Sequence, residues 1–128
     1  MTQAICVDPQ MVGRVWFRVR GMIAAALTRG NSDVKIEQVE NDLASGLMLL
    51  WLGVDGKNII SAGITQLTTD KVCTLVAYGG RREDHLLETI EQYARDEGCN
   101  KLRIYGRKGW SRVLPHYRQP YIVLERQF

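Results

Sequence analysis

The run Leu47-Met48-Leu49-Leu50-Trp51-Leu52 constrains this chain more than any other segment. It is unbroken apolar sequence of strand length, which describes a strand covered on both faces. Such a sheet needs helices on either side. Directly after it, Val54-Asp55-Gly56-Lys57 carries Asp-Gly, the strongest short hairpin signal, because both central turn positions then take positive φ. Asn58 to Leu67 reads as the return strand, with Gly63 as a bulge or a point of close approach. A turn at Thr68-Thr69-Asp70 leads into a third strand, Lys71 to Tyr78, which completes an antiparallel meander.

The helices that must cover this sheet are legible upstream. Asp8-Pro9 pairs a capping carboxylate with proline at the first helical position. Met11, Val12, Val15, Trp16, Val19, Met22, Ile23, Ala26 and Leu27 then recur at three-four spacing, with Arg14, Arg18 and Gly21 on the other side, up to Gly30. Ser32 or Asp33 caps a second, more polar helix with the apolar stripe Ile36, Val39 and Leu43, stopped by Gly46. Downstream, Gly79-Gly80-Arg81-Arg82 reads as a loop, and Leu86, Leu87, Ile90, Tyr93 and Ala94 mark a helix running to Gly98. Glu83 and Asp84 sit in its first turn, where the helix dipole favours them. Lys101 to Tyr105 alternates as a short strand, and strand–helix–strand at this length implies a parallel crossover. Trp110 to Tyr117 reads as a short helix capped by Ser111, and Pro120 opens a last strand from Tyr121 to Arg126. The expectation is a single α+β domain over 1–128. Its core is a mixed sheet, a three-strand antiparallel meander plus a parallel crossover strand, flanked by helices.

Composition supports a folded chain without naming an activity. Hydrophobic residues make up 45% and charged residues 24% of the 128, so the chain is neither disordered nor fibrous. The net charge of +3 is too small to announce a nucleic-acid binder. The longest apolar run in the first helix, Met22 to Leu27, falls far short of the roughly 20 residues of a membrane span. No signal peptide is read at the start, and Cys6, Cys73 and Cys99 form no Cys-x-x-Cys pair. The expectation is a cytoplasmic chain with reduced thiols and no membrane partner. With only His85 and His116 available, neither a Cys–His nucleophile nor a structural metal site is favoured.

The order of elements, together with "GCNKLRIYGRKGWSRVLPHYRQPYIVLERQF" from Gly98 to Phe128, resembles the GNAT-type N-acetyltransferases over nearly the whole chain. The first strand of that fold then falls on Thr2 to Val7, and its last strand is missing. Leu50-Trp51, Gly79-Gly80 and the long motif from Gly106 to Tyr117 look closer still to small, degenerate GNAT-like proteins encoded by tailed bacteriophages.

The resemblance implies acetyl-CoA in the splay between the strands Lys71–Tyr78 and Lys101–Tyr105. It also implies pyrophosphate held by backbone N–H groups at the start of the next helix, through an Arg/Gln-x-x-Gly-x-Gly/Ala loop. Counting from Arg81, Asp84 stands at the first motif glycine and Leu86 at the second. Glu83 and Asp84 oppose two phosphates, at a few kcal/mol for each contact of about 4–6 Å at an effective dielectric near 20. Gly79, Gly80, Arg81 and Arg82 are the candidate residues for a different anion cradle, against the plainer reading of a turn with solvated arginines. The resemblance implies Tyr117 as the general acid that protonates the departing thiolate, and backbone groups near Val76 to Tyr78 as the polariser of the thioester. The alternative for Tyr117 is a cap on the core with its hydroxyl at water or a carbonyl.

Lys101, Arg103, Arg107, Lys108, Arg112 and Arg118 carry no acidic residue among them, whereas the helix before them is acidic. The bland reading pairs the two electrostatically, worth about 0–1 kcal/mol a pair. The sharper one makes Arg107, Lys108, Trp110 and Arg112 a ligand or partner site, with Trp110 more a core anchor than a stacking platform. Three functions therefore stand. The one favoured is a non-catalytic module that binds a protein partner and uses no cofactor, in the host cytoplasm or on a virion if phage-encoded. The runner-up is an acetyl-CoA-dependent N-acetyltransferase of unspecified acceptor, and a nucleic-acid-associated factor comes last. Free sheet edges add the expectation of a homo-oligomer.

Overall fold

The computed structural model describes residues 2–30, 32–81, 84–105, 110, 114–120 and 124–128. Strand β1 (Thr2–Val7) opens the chain. Asp8 then turns it into a 3-10 turn, Pro9–Met11, with its carboxylate accepting from the Gln10 N–H at 2.9 Å. Helices α1 (Val12–Arg29) and α2 (Ile36–Ser45) follow. Strands β2 (Leu49–Asp55), β3 (Asn58–Leu67) and β4 (Val72–Gly80) form the meander. Helix α3 (Asp84–Asp96) crosses to β5 (Lys101–Ile104). The five strands lie in the order β1-β2-β3-β4-β5, all antiparallel except the parallel β4–β5 pair.

The predicted α+β architecture is therefore present, with particular corrections. The three-strand meander is extended by a fourth antiparallel strand, β1, on the Thr2 to Val7 that the resemblance implies, pairing with β2 from Thr2↔Asp55 to Val7↔Leu50. Strand β2 starts at Leu49; Leu47, expected inside it, is 63% exposed. The hairpin turn holds Gly56-Lys57 between the paired Asp55 and Asn58, and of those two only Gly56 has positive φ. That places glycine at the first central position, as in a type II′ turn, and moves Asp55 into the strand. Neither Ser32 nor Asp33 caps α2. The cap position is Lys35, and Ser32 instead accepts from the Val34 N–H at 3.1 Å, a local turn ahead of the helix. Gly79 and Gly80 belong to β4 and not to a loop. Leu124 to Arg126 are not in a strand, and Tyr121 to Val123 and the Ser111 cap lie outside the described residues.

Two apolar clusters, one on each face of the sheet, account for the unbroken Leu50-Trp51-Leu52. Leu50 and Leu52 join Val19, Ile23 and Leu27 of α1 and Val39 and Leu43 of α2. Trp51 turns to the opposite face, among Leu75, Leu86, Leu87 and Ile90. Its indole N–H donates to the buried Thr65 hydroxyl at 2.9 Å, and its ring meets Tyr93 edge-on at 5.1 Å. Helices α1 and α2 are joined at their outer faces by Glu40, which accepts from the Trp16 indole at 2.7 Å and from Arg20 at 3.0 Å. These charge-assisted contacts, Arg20 first, hold the Glu40 carboxyl below the ordinary carboxylate range.

Candidate functional site

The site begins with a break in register. Ile64 pairs with Ala77 and Thr65 with Leu75, so Val76 is an extra residue on β4. Val76 and Ala77 both pack toward α1 and α2, as two successive residues do at a β-bulge. Gly63, expected to mark this point, pairs regularly with Tyr78, one residue before the irregularity. On its other side, β4 pairs with β5 only from Val72↔Lys101 to Leu75↔Ile104. From Val76 to Gly80 it has no β5 partner among the described residues. The bulge thus sits just beyond the last described pair of the β4–β5 ladder. A broad groove runs along it, lined by Thr74, Val76, Glu91, Ile104, Trp110 and Tyr117 among others.

Two predicted site residues meet this groove. Trp110 packs its ring edge-on against Tyr78, with centroids 5.8 Å apart, over the part of β4 beyond its last described β5 pair. It is only part-buried, so of the two expectations for it, core anchor and member of a ligand or partner site, the first is met only in part. The Trp110 carbonyl accepts from the Leu114 N–H at 3.1 Å, but Leu114 to Tyr117 are not helical, so the helix expected from Trp110 to Tyr117 does not reach the tyrosine. Tyr117 donates its hydroxyl proton to the Glu91 carboxylate of α3 at 2.5 Å. Burial first, and then that hydrogen bond, push the Tyr117 phenol far above its ordinary pKa. Glu91 had drawn no attention in the sequence. Its one available signal was a carboxylate at the edge of the α3 apolar stripe, one position past Ile90.

The glycine–arginine segment is held by neighbours within the fold. A Cβ on Gly79 would lie 2.6 Å from both the carbonyl oxygen and Cγ of Met22, so the glycine lets α1 pass close over β4. Gly80 has φ +86°, and a Cβ there would lie 2.5 Å from the Ile60 carbonyl oxygen. Ile60 is itself an extra residue on β3 relative to β2, between Gly53↔Ser61 and Val54↔Ile59. Its carbonyl accepts from the Arg81 N–H at 2.9 Å. Leu86, at the second motif glycine, is fully buried with its side chain over Gly53 of β2. Among the described residues of this segment, the two glycines face neighbouring backbone, the Arg81 amide is taken by Ile60, and a leucine stands at the second motif glycine. Arg82, Glu83, Arg107, Lys108 and Arg112 lie outside the described residues.

Cys73 is buried in β4, and burial pushes its thiol up to about 11. Among the described residues no group of three or more His, Cys, Asp or Glu side chains is placed to hold a metal. No helix of the described residues is long and apolar enough to cross a membrane.

Comparison with solved structures places this geometry in a known fold. A predicted acetyltransferase from Clostridium acetobutylicum, solved with acetyl-CoA, superimposes with a TM-score of 0.69 at 12% identity, covering 99% of this chain and 96% of the other. A GNAT family acetyltransferase from Staphylococcus aureus gives 0.60 at 10% identity, covering 99% and 98%. An aminoglycoside N-acetyltransferase in complex with CoA gives 0.69 at 10% identity, covering 99% and 95%. No family model and no curated protein matches the sequence. Identities this low establish the fold and leave the activity open.

Proposed function

We propose that this chain, which has the GNAT acetyltransferase fold, is a non-catalytic module that binds a protein partner and has given up the cofactor of its structural neighbours. One observation carries the reading: the residues around the α3 N-terminus and the splay are spent on one another. Trp110 packs edge-on against Tyr78 beyond the β4–β5 ladder, Leu86 packs at the second motif glycine, and Arg81 donates its amide to Ile60. The Tyr117 proton, which an acetyl transfer needs for the leaving thiolate, is directed at Glu91. The partner-facing surface in this reading is the basic segment Arg107, Lys108 and Arg112, and the resemblance to small bacteriophage proteins points to assembly or host contact.

A second reading, an acetyl-CoA-dependent N-acetyltransferase, is favoured by the Val76 bulge lying in the groove that Tyr117 also lines. Calorimetric titration of the whole chain with acetyl-CoA and with CoA separates the two. The expected result is no saturable heat up to millimolar ligand, a free energy weaker than about −4 kcal/mol. Micromolar binding overturns the proposal and restores the enzyme.

A further inference from the structure

We infer that the protein self-associates through β1, two copies pairing their Thr2–Val7 edges antiparallel about a two-fold axis. Among the described residues β1 ends the sheet: it pairs with β2 on one side and with nothing on the other. An open strand edge is a row of unpaired N–H and C=O groups, and folded proteins that stay monomeric protect it with charge, proline, a bulge or brevity. Strand β1 has none of these. Its sequence Thr-Gln-Ala-Ile-Cys-Val carries no charge and no proline. Its six pairs with β2 run without a register shift. Ile5 is 40% exposed on it, and Gln3 and Cys6 are exposed as well.

The opposite end of the sheet shows the contrast. Strand β5 is four residues long and carries Lys101 and Arg103, so a second copy brought to that edge meets like charge on a short ladder. Another uncovered apolar group, Phe17 on α1, is 78% exposed, yet Arg14 and Arg18 flank it and oppose a symmetric contact there. Of these three surfaces, β1 is the one a second copy can meet without charge repulsion. An antiparallel edge also fits a two-fold, because the same strand supplies both partners and the contact closes on itself. With the axis normal to the sheet, residues of like parity face one another. Each face of the joined sheet then keeps its own helices, and one five-stranded sheet continues into the next. This surface is separate from the groove, so the inference stands whether or not the chain binds CoA.

Sedimentation equilibrium of the whole chain in reductant, over a wide range of concentration, is the test. The expected mass is twice the 14.6 kDa of one chain, falling to one chain in Gln3→Lys/Cys6→Lys, which puts four lysines on the shared seam. Both positions are exposed, and an unchanged circular dichroism spectrum and melting point show that the variant folds. Phe17→Glu is the control and is expected to leave the dimer intact. A wild-type chain that stays at single mass at every concentration overturns the inference. So does a dimer that survives the two lysines, or one dissolved by Phe17→Glu alone.

Discussion

Gly79 and Gly21 are the same residue type with opposite physical standing. Gly79 has the Met22 carbonyl 2.6 Å from where its Cβ would be, whereas Gly21, on the outer face of α1, has nothing within 4 Å. Backbone cannot move aside as a side-chain tip does, so Gly79→Ala is expected to cost about 1–3 kcal/mol as an overpacked site. Gly21→Ala is expected to gain about 0.4–1 kcal/mol by restricting the unfolded chain at a helical position. Urea denaturation of the two variants checks both signs. The sequence offers Gly79 to an anion and does not show its contact with Met22, because a glycine freed for a phosphate and one beside a neighbouring helix look alike in one dimension. Glu91 was missed for the converse reason: a carboxylate on a solvated helix has no mark until Tyr117 arrives from 26 residues away.

At the scale of elements, the legible parts were those whose signal is local. The span of β3, the stop of α2 at Gly46 and the periodic face of α1 all follow from neighbours within a turn or two. What failed was settled by tertiary pairing. The start of β2 is set by its ladder to β3, whose end pair is Leu49↔Thr65, and the α2 cap yields to a turn at Ser32. The bulges at Val76 and Ile60 exist only relative to partner strands, so no single-strand pattern displays them. The Trp51–Thr65 bond is a pairing of the same kind, tying β2 to β3 on the α3 face. Thr65→Val keeps the shape and the β-branched stiffness but leaves a buried indole N–H without an acceptor. It is expected to cost about 1–3 kcal/mol, read by thermal or urea unfolding, with the strand content of the circular dichroism spectrum unchanged.

For the whole molecule, two phenols add to the buried Cys73 thiol at the alkaline limit. Burial pushes Tyr93 up to about 12, and burial with the Glu91 bond raises Tyr117 further. Each keeps its proton in the folded chain at a pH where the unfolded chain has lost it, so the native state binds more protons and stability falls as pH rises. The contribution is complete below the ordinary phenol pKa of about 10 and is lost progressively above it. Melting temperatures between neutral pH and about 12 are expected to hold level and then drop, with a shallower drop in Tyr117→Phe.

Strand β1 is written first, and its partner β2 is written after both long N-terminal helices. On a ribosome the strand therefore leaves the tunnel with no ladder to join, and closing it onto β2 spans a far longer loop than either turn of the β2–β3–β4 meander. The meander has the order of a nucleus and β1 that of a late arrival. An uncharged strand that waits for its place is for that interval open to any other copy emerging nearby. The same edge that joins two finished molecules is thus a hazard between unfinished ones, and polysomes crowded with this chain are where it is felt first.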